Sequence, residues 1–544
     1  MKKRLSILLA VCMLAGALAG CGASKEESAA GEATTTEENA GEEETEAPVF
    51  VTIASGVDIG DMNPHLANAA IFAQNYVYEG LVVYEDGGIQ PGLAETWDIS
   101  EDGLTYTFHL RENAMYSDGT ALTAENVVKN FDAIFAANLY GYMGAAAYMD
   151  HYTAVDEHTF EIVLTEPYAP VLHDLAAVRP FRMLGDAGFM EDGSTDQGIK
   201  EIVGTGPWML TDYVENEYAT FEQNPYYWGE APKIDGFTLK VFTDGQTAVS
   251  ALEAGEIDMI YDMYESQLMS VDTYNSLVDA GYNSFISEPV LTRALTLNSQ
   301  VEPLNDFNVR KALILALDRE SIVQSVFGGL EEMAQSYYWP GTMDCNVGLK
   351  GYSYNVEEAN KLLDEDGWVL EDGKEYRTKD GKELAVTFYY DASNVVQTSF
   401  AQICQSEVKK IGMNMKIMGE EYSANISRIY SGEFEIGYTV SWGDPYDPHS
   451  TLAAMATVGG SAEYFALASM ENFDDFAAKV AAAPKAVDAE ERQALYKEIM
   501  QAIEDEYSII PISYQTNRAI TQTNISGVTF GLSNIMPLNE LTVE

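Results

Sequence analysis

From Val51 to the C-terminus, short runs with apolar residues at every second position alternate with helical stripes. No Pro- or Gly-rich linker and no repeat interrupts them. Interleaved patterns of period two and period 3.6 dictate a mixed α/β body in which sheets are covered by helices. Trp97 and Ile99, the turn Glu101-Asp102-Gly103, then Leu104, Tyr106, Phe108 and Leu110 spell a hairpin. Thr105, Thr107, His109 and Arg111 occupy its other face, so His109 is expected to be solvated. Thr123 caps a helix with Val127, Val128, Phe131, Ile134 and Phe135 on one side, and Phe160, Ile162 and Leu164 form a further strand. Asp306 to Val326 reads as one helix closed by Gly328-Gly329. Asp488, with Glu491 three residues on, opens another helix carrying Leu495, Ile499 and Ile503, and the apolar strand Ile509-Ile510-Pro511-Ile512 follows it. At 544 residues the chain exceeds what one apolar core supports, so two or three lobes are expected. Its 33 Tyr, 21 Phe and 6 Trp supply the area to build them.

The first residues follow different rules. Lys2, Lys3 and Arg4 precede an apolar stretch from Leu5 to Leu18, shorter than the ~20 residues that cross a bilayer and suited to a secretory signal. Leu18-Ala19-Gly20-Cys21 resembles a bacterial lipobox, which makes 1–20 a lipoprotein signal peptide and Cys21 the acylated residue. Residues 21–48 then hold nine Glu and no aromatic, too little apolar area to offset chain entropy, so this segment is expected to be a disordered tether.

The net charge is −56, which argues against nucleic acid or an anionic membrane as a partner of the folded body. The sequence has no GxGxxG opening a helix, no GxxxxGK[ST], no HExxH and no GxSxG, so nucleotide, zinc-hydrolase and serine-hydrolase chemistry lack support. Asp372-Gly373-Lys374 and Asp380-Gly381-Lys382 read as turns around a short hairpin. The six His show no i, i+4 spacing, and there is no CxxC, so no all-protein metal site and no protein cofactor are expected. His449 follows Pro448 in a loop, where a local hydrogen-bonding role fits. Cys345 and Cys404 remain after processing; export permits a disulfide, but two buried free thiols are the simpler reading.

Several ordered motifs then agree. Pro91-Gly92-Leu93-Ala94-Glu95-Thr96-Trp97, Asp102-Gly103-Leu104-Thr105-Tyr106-Thr107-Phe108-His109-Leu110-Arg111 and Ser117-Asp118-Gly119 resemble the signature of extracellular solute-binding proteins of the peptide/nickel ABC-importer type, family 5. So do Gly204-Thr205-Gly206-Pro207-Trp208, Asn224-Pro225-Tyr226-Tyr227-Trp228-Gly229, Ala254-Gly255-Glu256-Ile257-Asp258, Val309-Arg310-Lys311-Ala312-Leu313 and Ala316-Leu317-Asp318-Arg319. The resemblance implies a two-lobed periplasmic-binding-protein-like fold of class II with an extra subdomain in lobe I. Lobe I would be 49–290 and 514–544, lobe II 291–513. It also implies a monomeric capture subunit, lipid-anchored outside the cytoplasm, that serves an ABC permease and its ATPase and is not an enzyme.

Within the family the resemblance is strongest to nickel-binding members. Trp442-Gly443-Asp444-Pro445-Tyr446-Asp447-Pro448-His449 is similar to their cleft loop, and Arg179-Pro180-Phe181-Arg182 to a stretch whose first Arg faces the ligand. Those proteins hold metal inside a small carboxylate-bearing chelator, so the resemblance gives Arg179, Trp442 and Tyr446 ligand roles, with any metal carried as part of the chelate. Packing within the loop is the alternative for the two aromatics. Departures from the pattern are Tyr140 where a second ligand-facing Arg is expected, Gly460-Ser461 near the metal-contacting His, Ala67 in place of a Tyr and Ile71 in place of a Met. Arg293 would restore a charge, although a surface salt bridge suits it better. Peptide-binding relatives need an acid for the α-amino group, a part Asp444 would fill. The expected ligands are thus a metal chelate or a di- or oligopeptide. A surface hydrolase lacks a nucleophile–base pair.

Overall fold

Among the described residues, eleven strands of one sheet carry the body, and their order explains the two lobes. The computed structural model describes residues 47–66, 71–85, 87–137, 143–263, 268–532 and 535–544. From one edge the sheet runs Asn414–Glu420, Ala385–Asp391, Ile436–Val440, Asn283–Leu297, Ile509–Thr521, Met259–Asp262, Phe50–Ser55, Gly236–Val241, Tyr218–Gln223 and Trp208–Val214, with Glu332–Met333 added beside Ile509–Thr521. Two strands in the middle are long, 15 and 13 residues, and they belong to both halves. The early part of Asn283–Leu297 and the late part of Ile509–Thr521 pair near Met259–Asp262; their other ends pair beside Ile436–Val440. Their register shifts between Ile286 and Pro289 and again between Pro289 and Leu291. Pro289 has no amide hydrogen to give the ladder, so pairing loosens where the chain passes from one half to the other.

Separate apolar cores flank the crossing. Leu295, Leu313, Phe388, Phe400 and Ile510 pack on one side; Ile53, Tyr76, Phe221, Phe237 and Leu239 pack on the other. A third core belongs to a subdomain whose four-stranded sheet runs Ala94–Ile99, Thr105–Leu110, Thr159–Leu164 and Met149–Asp156 under helix Ala124–Ala137. The expected hairpin is there: Tyr106, Phe108 and Leu110 are buried, and His109 is half exposed, 3.0 Å from Asp98. Thr123 accepts the Asn126 amide, and Asp488 that of Glu491, as their capping positions require.

One expected helix is two. Phe307–Ala316 ends at an extended Leu317, and Asp318 caps a second helix, Arg319–Phe327, by accepting the Ser321 amide. A side-chain acceptor in mid-pattern competes with the backbone, so the apolar stripe continues while the helix restarts. Gly328, at φ 58°, closes it as expected. Lys382–Glu383 pairs with Thr378–Lys379 around the Asp380-Gly381 turn, and Cys345 and Cys404 are free, buried thiols. Among the described residues no helix is long and apolar enough to cross a membrane. Cys21 and most of the acidic segment lie outside the described residues.

Candidate functional site

The segment after strand Ile436–Val440 passes close to the crossing strand. At Gly443, φ is +75° and a Cβ would lie 2.4 Å from the Val290 carbonyl oxygen, so only glycine permits this approach. Asp447 then ties the loop. Its buried carboxylate accepts the Gly443 amide at 2.8 Å and the Thr451 hydroxyl. Tyr446 and Asp447 both return amide bonds to the Gly443 carbonyl, at 3.0 and 3.1 Å. The loop is therefore rigid before anything binds it. It presents Trp442, Asp444 and Tyr446, with the two rings edge-on at 6.4 Å.

Tyr446 packs against the core of the lobe I subdomain, so the loop spans the seam between lobes. Beside Tyr446 lies Arg182, 2% exposed, which donates to the Ala176 carbonyl at 3.2 Å while its Nε and Nη1 have no partner. Burial lowers its pKa to about 10, against the charge of Glu79. Glu79 is itself pushed up to about 7 by burial, although the Trp228 indole donates to it at 2.8 Å. On the loop side, burial and then the Asp447 charge push Asp444 up to about 7. The Tyr84 phenol faces Asp444 and favours its charged form, partly offsetting the effect of burial on the acid, while burial raises the phenol's own pKa. Asp444 Oδ2 meets the Thr342 hydroxyl at a long 3.5 Å. Buried donors without a protein partner, such as those of Arg182, can be taken up by a ligand that carries acceptors.

Deeper in the seam His449 Nε2 and Asp174 Oδ1 meet at 2.8 Å, with both side chains at most 1% exposed. A small cavity of about 20 Å³ between Ser336, Tyr337, Tyr352, Glu504 and Ile509 lies inside lobe II and has room for about one water, so it is not this site.

The sequence-expected residues divide. Trp442, Asp444 and Tyr446 share the loop, and Arg179 is half buried three residues before Arg182, whose guanidinium reaches Tyr446. Arg293 is elsewhere and is not a surface residue. It is 4% exposed on the crossing strand, with a two-pronged bond to Glu331 at 3.0–3.1 Å and a further one to the Tyr438 hydroxyl at 2.8 Å. Its charge is matched inside lobe II because a buried guanidinium holds only if its donors are occupied. Tyr140 and Ala67 lie outside the described residues. Near Gly460-Ser461 the structure has buried Glu463, which accepts from the Tyr337 hydroxyl at 3.0 Å. Tyr84, Arg182, Glu79 and Asp174 escaped the sequence reading; only Arg182 stood in a motif that could have flagged it. No group of three or more His, Cys, Asp or Glu that would hold a metal occurs among the described residues. Aromatic walls, a rigid loop and unsatisfied polar atoms suit the holding of a small polar ligand.

Comparison with known proteins adds relatives. The model of bacterial extracellular solute-binding proteins, family 5, matches residues 88–463. The chain is 33% identical over 488 residues to a nickel-binding periplasmic protein of Escherichia coli, covering 89% of this chain and 92% of that one. A periplasmic oligopeptide-binding protein of the same organism, OppA, is 27% identical over 518 residues, covering 89% and 91%. Among solved structures, NikA from Brucella suis in complex with Fe(III)-EDTA superposes with a TM-score of 0.87 at 34% identity, over 91% of this chain and 100% of that one.

Proposed function

The chain belongs to the bacterial extracellular solute-binding proteins, family 5, and from that premise we propose that it captures a small, carboxylate-bearing metal chelate between its lobes. Its fold is the two-lobed class II periplasmic-binding-protein fold with an added subdomain in lobe I. Members of the family deliver solutes to an ABC permease and its ATPase. We place the hinge at 290/291 and 513/514; the first crossing falls in the register shift between Pro289 and Leu291, and the second pairs beside it. Ligand touching both lobes stabilises the closed state by its differential affinity, and closure presents the permease with a distinct shape. No bond is made or broken in that cycle, so the chain needs neither catalytic residues nor a cofactor, and the metal is cargo.

The observation that carries the chelate reading is the seam itself. Buried Arg182 puts cationic character beside Tyr446, with Arg179 three residues before it in the chain, while Asp444, at about 7, is only partly ionised near neutral pH. Guanidinium recognises carboxylates through parallel donors, and the aromatic rings cover the ligand's apolar edges. Two relatives whose descriptions name nickel or a ferric chelate, at 33% and 34% identity, support it. A peptide is the second reading, favoured by Asp444, a largely buried carboxyl group on the loop that an α-amino group would pair with. The anchor is part of the proposal: acylated at Cys21, the chain acts as a monomer on the membrane surface, and Cys21→Ala should release it from the membrane fraction. Native mass spectrometry of protein purified from its own host tests the ligand class. A bound mass with a nickel, cobalt, zinc or iron isotope pattern is expected; a ladder of peptide masses would replace the chelate with the second reading.

A further inference from the structure

We propose that Asp174 and His449 form a latch across the lobes that positions the Trp442–Tyr446 loop and sets how far the protein closes. The proposal rests on lobe closure as the working motion. Its geometry is independent of which ligand binds.

Asp174 belongs to helix Val171–Ala176 of the lobe I subdomain, and His449 is the first residue of helix His449–Met455 in lobe II. The two carboxylate oxygens of Asp174 are divided between the lobes. Oδ2 accepts the Ala145 amide at 2.7 Å, a bond within the subdomain, and Oδ1 meets His449 Nε2 at 2.8 Å. The acid is therefore held in place by one lobe and completed by the other. Rings from lobe I enclose the imidazole: Tyr168 at 6.2 Å and His173 at 6.3 Å, both edge-on. Asp444 faces it from its own loop, and Arg492, paired with Asp344 at 2.6 Å, stands behind His173.

Two features separate this pair from ordinary packing. Other links over the same seam are weaker by location. Lys485 meets Glu166 at 2.6 Å, but both are a third or more exposed, and exposed pairs are screened. The bond from the Ala169 amide to the Pro484 carbonyl, 2.7 Å, carries no charge. The latch is also mechanically joined to the binding loop. Asp447, two residues before His449, fixes Gly443, and the Ser450 amide returns to Tyr446 at 2.9 Å. Moving His449 therefore moves Trp442 and Tyr446 with it.

A buried pair of this kind adds little by itself, because both groups are hydrated when the lobes part. Removing one partner is different. The survivor stays buried and unpaired in the closed state only, so the population shifts toward open and the apparent affinity falls by the fraction that remains closed.

The test uses the full mature chain with spin labels at Glu101→Cys and Glu490→Cys, exposed sites on opposite sides of the seam; the buried thiols Cys345 and Cys404 do not take label. Ferric EDTA is the titrated probe. His449→Phe, which keeps a ring but no donor, should lengthen the inter-label distance and weaken probe binding by roughly ten- to a hundredfold. His449→Gln keeps a donor and should recover part of both. Joining His449→Phe to Asp174→Leu, so that no charge is left unpaired, should restore closure relative to either single change. If wild type closes on the probe and all variants share its distances and affinity, the latch is overturned while the closure reading stands. One fixed distance in every protein, with and without probe, overturns both. If a single variant does not fold, Asp174→Asn and the double variant still read the coupling.

Discussion

The buried guanidinium groups inside lobe II and Arg182 at the seam between the lobes are treated in opposite ways. In lobe II, Arg293 bonds Glu331 and Tyr438, and Arg310 bonds Glu506 and the Leu304 carbonyl. Arg319 reaches three carbonyls, those of Ala334, Pro511 and Tyr352. Arg377 bonds Asp364, Asn360 and the carbonyls of Trp368 and Ile411. At the seam, Arg182 keeps two nitrogens without partners, and His173 Nδ1 is likewise unmatched. Satisfied networks fix a lobe as a rigid body. Donors without partners at a boundary between lobes leave interaction energy that a ligand can take up.

The contrast breaks first where the networks are cut. Arg293→Ala leaves Glu331 buried without its cation and should destabilise the protein by about 3–5 kcal/mol, read from thermal or denaturant unfolding. A loss below about 1 kcal/mol would mean that lobe II does not depend on its matched charges.

Next comes the pH response of the seam. Asp444 is raised from 3.8 to about 7, so between those values the folded state binds more protons than the unfolded state. Stability contributed by this group is therefore present at low pH and lost as pH rises through about 7. Asp444→Asn removes the titration and should make the protein more stable at pH 8 by an amount on the order of 2–4 kcal/mol, with a flatter stability profile between pH 4 and 7. Unfolding curves across that range check it. A profile parallel to wild type would show that Asp444 is not held in its neutral form.

The smallest expected effect is at Tyr84. Removing the hydroxyl that faces Asp444 by Tyr84→Phe should change stability by less than about 1 kcal/mol, in contrast to Arg293, while weakening capture of the native ligand. A stability loss comparable to the lobe II cut would make Tyr84 structural.

Much of this was legible in the sequence because it is local. The hairpin around Asp102-Gly103, the cap at Asp488 and the loop that groups Trp442, Asp444 and Tyr446 each depend on neighbours a few residues apart. The break at Leu317-Asp318 was hidden because an apolar stripe runs through it and only a capping side chain interrupts the helix. Pairings such as Asp174 with His449 and Arg293 with Glu331 were not legible at all. Separations of 275 and 38 residues leave no periodicity to read, and the contacts exist only once the crossing strands set the lobes together. Arg293 was assigned to the surface for that reason.

Whether the seam holds a carboxylate-bearing solute is decided by calorimetric titration of Arg179→Ala with the ligand recovered from native protein. A charge-assisted bond inside a closed cleft is worth about 1.5–3 kcal/mol, so affinity should fall roughly ten- to a hundredfold, and Arg179→Lys should recover only part because it lacks the planar fork. Melting of the ligand-free variant should match wild type. Wild-type affinity, or a large loss of stability without ligand, would contradict the account and make Arg179 part of the scaffold.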